Sequence, residues 1–232
     1  MSHEIIRTDD FVKSASERII CIVKSVLEEK SWFVLGLCGG GTPFPVYSRI
    51  AAGGADIPWD KIIITFGDER CVPPEHEQSN FRAAKEKFFD LIPIPEANVL
   101  RIKGEESPEK AASDYEDQLN TVAARLKVKS FRHDLILLGM GDDGHTASLF
   151  PGTDALRVRE GRVVANYVPK LGKHRITLTL PFINASDRVM FLVNDKKKQP
   201  LCEDVIAGRG DYPAGMIKPH SGNLSWILGG VM

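Results

Sequence analysis

Asp143 and His145 lie two positions apart, in a turn that follows the apolar run 135–140. A carboxylate can orient an imidazole and keep its pKa near neutrality, as general acid–base chemistry at physiological pH requires. An Asp-x-His pair is more often a surface or structural feature than a catalytic one. Its position at the end of a predicted strand favours the catalytic interpretation here, because strand ends are where ligands bind in open sheets.

Three other sites fit the same turn less well. A metal site made of Asp142, Asp143 and His145 lacks a further ligand at a suitable spacing, so no metal is expected. Ser148 lies near His145, but the sequence contains no Gly-x-Ser-x-Gly motif of a serine hydrolase. Residues 139–144 match a dinucleotide fingerprint only formally, since two aspartates would lie where the pyrophosphate must go.

A glycine-rich turn, Gly39-Gly40-Gly41-Thr42-Pro43, follows the apolar run 32–38. Backbone amides of glycines can approach an anion closely, and a proline suits the start of a helix whose N-terminus favours negative charge. A plain tight turn would explain the glycines equally well. The segment lacks the lysine of a Walker motif, which excludes a phosphate grip of the mononucleotide type.

A third polar segment, Asp68-Glu69-Arg70, follows the apolar run 61–66. Such a cluster is more commonly a solvated, salt-bridged loop than a site. Because ligands bind beyond the carboxyl ends of parallel strands, we expect this segment and the two turns above to meet at one edge of the sheet.

The elements that must position these segments alternate between helix and strand. Helices are predicted over about 20 residues from Phe11, with Asp9 or Asp10 as the N-cap, and over 79–91, 108–126 and 196–207; strands are predicted over 32–38, 61–66, 98–102, 134–139, 162–168, 175–180 and 188–193. This order predicts an α/β fold, one domain over residues 1–232, with a mostly parallel, doubly wound sheet flanked by helices. Short connections between the last three strands leave open a mixed or antiparallel part toward the C-terminus.

Composition limits which binding partners and which cellular location we expect for this protein. The 232 residues include 30 Lys+Arg and 31 Asp+Glu, a net charge of −1, which gives no basic surface for nucleic acid. The longest apolar runs are far shorter than the roughly 20 residues that span a bilayer. The N-terminal segment also lacks the features of a signal peptide. We therefore expect a cytoplasmic protein, a monomer or small homo-oligomer, with no nucleic-acid or membrane partner.

Taken together and in order, three segments resemble the family that contains the 6-phosphogluconolactonases and the glucosamine-6-phosphate isomerases/deaminases. These segments are Gly40-Gly41-Thr42-Pro43, residues 67–73 with Ser79-Asn80, and residues 138–151, and the resemblance extends over about 32–228. Residues 175–180, and 191–193 followed by Lys198, are similar to the later pair of segments in which the family holds a sugar phosphate with an Arg and a Lys.

Two positions favour the lactonase branch of the family. Where this chain has Asp68-Glu69-Arg70, the deaminases have Asp-Glu-Tyr, and where it has Phe150 they carry a catalytic Glu. Loss of the Glu removes a proton-handling group, and Arg70 adds a cation suited to an anionic intermediate. Two departures exist. The segment after Val193 lacks an expected Gly, so Lys196, Lys197 and Lys198 all stay candidates for the phosphate, and the chain stops where relatives usually continue into a last helix.

The resemblance implies hydrolysis of 6-phospho-D-glucono-1,5-lactone to 6-phosphogluconate, the second step of the oxidative pentose phosphate pathway, without a cofactor. His145 is the candidate base that activates water, Asp143 orients its ring, and Arg70 stabilises the oxyanion. The candidate substrate-binding residues are Gly40, Gly41, Thr42, Asp68, Arg175 and Lys198. Two alternatives are an aminosugar-phosphate isomerase/deaminase and a non-catalytic sugar-phosphate sensor. The latter would normally come with a DNA-binding module, and no basic helix-turn-helix segment precedes Trp32.

Overall fold

Two sheets organise the chain in the computed structural model, which describes residues 4–54 and 56–230. The larger sheet contains β1 (Glu4–Arg7), β2 (Phe33–Leu37), β3 (Ile62–Phe66), β5 (Leu135–Leu138), β8 (Val189–Asn194) and β9 (Leu224–Gly229). Its strand order is β1-β9-β8-β5-β2-β3, and every pairing is parallel. The expected single domain of residues 1–232 includes positions 1–3, 55, 231 and 232, which lie outside the described residues.

The central strands are apolar because both of their faces are covered. Every residue of β2, β3 and β5 is buried, and a continuous apolar run is typical of a parallel strand packed on both sides. The helices are α1 (Phe11–Glu29), α2 (Phe44–Gly53), α3 (Asn80–Lys87), α4 (Pro108–Arg125), α5 (Leu180–Asn184) and α6 (Gln199–Ile206). Asp10, and not Asp9, caps α1 by accepting a hydrogen bond from the Lys13 N–H at 3.1 Å. The α/β prediction with a mostly parallel sheet flanked by helices is confirmed.

The antiparallel part that the sequence left open forms a separate three-stranded sheet. It contains β4 (Asp68–Arg70), β6 (Val163–Val168) and β7 (Lys173–Leu178), in the order β4-β7-β6. Gly67 connects the two sheets, because its N–H donates to the Leu37 carbonyl and its carbonyl accepts from the Leu178 N–H, each at 2.9 Å. The polar segment after β3 is therefore a short strand with a fixed register.

Several predicted boundaries were wrong for local reasons. The strand predicted over 98–102 is absent: after the 3-10 turn Glu96–Asn98, only Val99 forms an isolated bridge, with Ile64. The strand predicted over 175–180 ends at Leu178, because the Thr179 hydroxyl caps α5, whose first turn contains a proline. The helix predicted over 79–91 ends as α3 at Lys87, and a 3-10 turn, Phe89–Leu91, follows it.

In the C-terminal half, the start of one helix also differs from the prediction. The helix predicted over 196–207 begins as a 3-10 turn, Lys196–Lys198, and becomes α6 only at Gln199, with Pro200 in the first turn, where no N–H is required. The edge strand β1 and its neighbour β9 were not predicted. No helix of residues 4–54 and 56–230 is long and apolar enough to cross a membrane.

Candidate active site

A cleft of about 450 Å³ opens at the carboxyl ends of β2, β5 and β8. Its lining comes from the segments that follow these strands and from β4: residues 38–43, Asp68, Arg70, 139–142, His145, Ala147, 192–195 and Lys198. The glycine-rich turn, the Asp-Glu-Arg segment and the Asp-x-His turn thus converge, as the rule for parallel sheets predicts. Of the nine residues proposed from the sequence, Asp143 and Arg175 do not line this cleft.

Glycines are required in the turn between β2 and α2 for two different reasons. Gly40 has a φ of +93°, which L side chains rarely adopt, and a Cβ on Gly39 would lie 1.9 Å from the Asn80 side-chain oxygen. A Cβ on Gly41 would meet no neighbouring atom, so the turn faces open space there. Within the described part of the chain, the amides of Gly40, Gly41 and Thr42 have no hydrogen-bond acceptor. These donors and the N-terminus of α2 suit an anion.

Tyr47 on α2 fixes the backbone of Cys38, the residue just before this turn. Its hydroxyl donates to the Cys38 carbonyl at 2.9 Å and accepts from the Cys38 N–H at 3.1 Å. Cys38 also lines the cleft, but burial raises the pKa of its thiol to about 12. Because the thiolate is the reactive form, Cys38 is not a nucleophile at neutral pH.

His145 is held on three sides. Its Nδ1 lies 2.5 Å from Asp143 Oδ1, its ring stacks on Phe150 with 3.9 Å between ring centroids, and a Cβ on Gly141 would lie 2.0 Å from the ring. The carboxylate accepts, so Nδ1 is the donor and the neutral ring has its lone pair on Nε2. The side chain is 28% exposed. The ring is therefore oriented, accessible and able to accept a proton.

Asp143 lies behind the imidazole and is ionised. Partial burial by itself raises the pKa of its carboxyl, but hydrogen bonds from Lys170 and His145 outweigh this and hold the pKa well below its ordinary value. Lys170 Nζ lies 2.7 Å from Asp143 Oδ2. Sequence reasoning missed Lys170, since nothing local connects a lysine between β6 and β7 to a turn 27 residues earlier.

The Asp-Glu-Arg segment divides its side chains because successive residues of a strand point to opposite faces. Asp68 and Arg70 line the cleft, whereas the buried Glu69 carboxylate accepts the N–H groups of Asn80 and Phe81 at 2.8 Å each and so caps α3. Burial raises the pKa of Glu69 despite these bonds. The segment is therefore not the solvated, salt-bridged loop that such clusters commonly form.

Asp68 is held in place by two neighbours. Ser148 donates its hydroxyl to Asp68 Oδ2 at 2.6 Å, and the Asn80 side-chain amide donates to the Asp68 carbonyl at 2.9 Å. Ser148 lies two positions after Thr146 in the same turn as His145, so one carboxylate connects two of the segments around the cleft. Ser148 is buried and does not line the cleft, so its observed side-chain contact is the one that orients Asp68.

Arg70 and Arg175 face each other across the β4–β7 register. Arg70 donates from Nη1 to the Gln78 carbonyl at 2.7 Å, and its buried Nε has no partner among the described residues. Burial and the charge of Arg70 lower the pKa of Arg175. No carboxylate of the described chain lies within salt-bridge distance of either guanidinium. This excess positive charge favours an anionic ligand.

Of the three consecutive lysines, only Lys198 lines the cleft. Its Nζ donates to the Met140 carbonyl at 2.8 Å and lies 3.1 Å from Asp142 Oδ1. Lys196 and Lys197 are exposed. Among the described residues, no group of three His, Cys, Asp or Glu side chains is placed to hold a metal ion.

Comparison with known proteins gives a consistent result. A family model described as glucosamine-6-phosphate isomerases/6-phosphogluconolactonase matches residues 7–226. A 6-phosphogluconolactonase from Nostoc sp. is 39% identical over 90% of this chain and 87% of its own. One from Homo sapiens is 34% identical over 84% and 78%, respectively. The crystal structure of the Thermotoga maritima 6-phosphogluconolactonase superposes with a TM-score of 0.87 at 31% identity, covering 98% of this chain and 100% of that one.

Proposed function

Because this chain belongs to the glucosamine-6-phosphate isomerase/6-phosphogluconolactonase family, we propose that it hydrolyses 6-phospho-D-glucono-1,5-lactone to 6-phosphogluconate. The observation that carries the proposal is the composition of one cleft. Around it lie an imidazole oriented by a carboxylate, an arginine and a glycine-rich turn. Within residues 4–54 and 56–230, this arginine has no carboxylate partner and the amides of the turn have no acceptor. These groups match a reaction that needs a general base, a cation to stabilise an oxyanion, and a binding site for the substrate phosphate.

His145 acts as the general base in this proposal. Its Nε2 takes a proton from water as the water oxygen attacks C1 of the lactone, and Asp143 holds the ring and stabilises the resulting imidazolium. The tetrahedral intermediate then collapses, the bond between C1 and the ring oxygen breaks, and the imidazolium returns the proton to that oxygen. The product is the open-chain acid, which ionises in water.

Arg70 stabilises the oxyanion that forms on the C1 oxygen. Its guanidinium lines the cleft and is fixed by the Gln78 carbonyl, so little reorganisation is needed when negative charge develops. Asp68 accepts hydrogen bonds from substrate hydroxyls, and its own carboxylate is already oriented by Ser148. Each group is held by its neighbours before substrate arrives, which is the condition for efficient electrostatic catalysis.

The phosphate binds at the other end of the substrate, against the amides of Gly40, Gly41 and Thr42 and the ammonium of Lys198. Arg175, which does not line the cleft, adds positive charge only indirectly, from its position opposite Arg70. Binding energy gained at the phosphate, away from C1, lowers the entropic cost of placing the lactone against His145. The cytoplasmic location and the monomeric or small homo-oligomeric state expected from the sequence stay predictions.

The lactone also opens spontaneously, so the test measures its disappearance against that background in a coupled assay. We expect clear acceleration by the protein and no ammonia release from glucosamine 6-phosphate. Ammonia release would favour the isomerase/deaminase branch. Binding of 6-phosphogluconate without turnover of either substrate would favour a sensor and contradict the proposal.

A further inference from the structure

Lys170 lies outside the cleft lining but contacts the residue that orients the proposed base. It belongs to the 3-10 turn Pro169–Leu171, which connects β6 to β7. Gly172, with a φ of +59°, closes this turn by donating its N–H to the Pro169 carbonyl at 3.1 Å. Val168 is buried and anchors the turn from its N-terminal side. The backbone thus presents Lys170 at a fixed place.

The carboxylate of Asp143 divides its two oxygens between different partners. Oδ1 faces His145, accepting from Nδ1 at 2.5 Å and from the backbone N–H at 3.2 Å. Oδ2 accepts from Lys170 Nζ at 2.7 Å. With both oxygens occupied the carboxylate cannot rotate freely, so Lys170 fixes the orientation that Asp143 passes on to the imidazole.

The same contact acts on charge. A carboxylate beside an imidazole favours the protonated ring, which cannot act as a base. The ammonium of Lys170 offsets part of that negative charge. We propose that Lys170 is a positioning residue that keeps His145 available as a neutral base, an inference that rests on the proposed function.

Other charged groups line the same cleft as this imidazole. They are Asp142 on its own turn, Lys198 on the 3-10 turn before α6, and Asp68 and Arg70 on β4. Lys198 is already paired with Asp142 at 3.1 Å, and Asp68 with Ser148 at 2.6 Å. Asp142 also acts on the charge of Lys170, but its ion pair is with Lys198, so we expect that pair to persist when Lys170 is replaced.

The experiment replaces Lys170 by Met and follows the pH titration of His145 by NMR, with the His145 signal assigned by its absence in His145→Gln. We expect the titration midpoint to rise by about 0.5 to 1 pH unit, less than a direct ion pair would give, because Lys170 acts through Asp143 and is partly exposed. The acid limb of the kcat/KM profile should move upward by the same amount.

Two variants serve as controls. Lys170→Arg keeps the charge and should restore both midpoints, and Lys173→Met removes an exposed lysine of the same hairpin that has no contact with Asp143 in the described residues, so it should shift neither. The Lys170 side chain is 65% exposed and its ion pair adds little to folding, so we expect Lys170→Met to fold.

An unchanged His145 midpoint in Lys170→Met would overturn the inference, as would an equal loss of activity at every pH. The NMR titration needs no substrate. The titration therefore tests the role of Lys170 independently of turnover. Failure of the unmodified protein to hydrolyse the lactone would contradict only the proposed function.

Discussion

His133 and His145 lie near opposite ends of β5, and their surroundings differ in a way that separates structure from chemistry. His133 is fully buried, its Nε2 lies 2.8 Å from the Thr65 hydroxyl, and burial lowers its pKa to about 3. It stays neutral at physiological pH and packs in the core. His145 lies beside an ionised carboxylate and is open to the cleft. A carboxylate neighbour and access to solvent, rather than burial, therefore make an imidazole useful for proton transfer.

Charged groups at the amino and carboxyl ends of the parallel strands differ in a similar way. Near the amino end of β5, Lys30 pairs with Asp134 and Asp187 at 2.5 and 3.0 Å, and Arg132 pairs with Asp187 at 3.2 Å. The cavity there is the larger one, about 940 Å³. At the cleft, Arg70 has no such partner among the described residues. Unmatched charge, and not cavity size, distinguishes the candidate active site.

The largest effect should come from removing the imidazole of the cleft. We expect His145→Ala to lower kcat by roughly 10²- to 10⁴-fold, the usual contribution of a general acid–base group. His133→Gln should leave kcat nearly unchanged. Steady-state lactone hydrolysis, corrected for spontaneous opening, measures both. Near-normal turnover in His145→Ala would show that His145, like His133, is not the general base.

A smaller effect should follow removal of a cation proposed for the phosphate. Loss of one charge-assisted hydrogen bond corresponds to about 10- to 100-fold in kcat/KM. We expect Lys198→Ala to show this loss on the phosphorylated lactone and far less on glucono-lactone, and Arg175→Ala to behave in the same direction. Lys196→Ala, which removes an exposed lysine outside the cleft, is the control. Equal losses on both substrates would show that the cation does not recognise phosphate.

The smallest effect is on the free energy of unfolding and comes from His133. The pKa of His133 is lower in the folded state than the 6.5 of the unfolded chain, so its contribution to stability is present above pH 6.5 and is lost as the pH falls toward about 3. The loss amounts to at most about 1.4 kcal/mol per pH unit. His133→Gln cannot titrate, so its free energy of unfolding should fall less between pH 7 and pH 5 than that of the unmodified protein, by about 2 kcal/mol. Urea denaturation at the two pH values tests this, and identical pH dependence would show that His133 does not titrate on unfolding.

The sequence predicted those parts of the site that depend on local patterns. A short apolar run followed by glycines or charges marks both β2 and β5, and the carboxyl ends of parallel strands must meet at one edge. Asp143 and His145 belong to one turn, so their contact was predictable from their spacing. The Glu69 carboxylate, by contrast, turned out to cap α3, since strand alternation directs it away from the cleft.

Contacts between distant segments could not be predicted in this way. Lys170 reaches Asp143 only because the β6–β7 register places its turn there. Arg175 lies opposite Arg70 through the β4–β7 register, which no spacing in the sequence reveals. The strand β9 pairs with β8 and β1, both remote from it in sequence, and β1 is a short edge strand with little apolar signal.

Whether the glycine-rich turn and His145 belong to one binding site is tested most directly by an NMR titration with 6-phosphogluconate. This proposed product is open-chain and has no lactone to hydrolyse. We predict that the amide signals of Gly40, Gly41 and Thr42 and the side-chain signals of His145 move together, while those of His133 and Lys30 do not. Signals that move only around the larger cavity near Lys30, or a glycine-rich turn that does not respond, would contradict the assignment of the substrate site to this cleft.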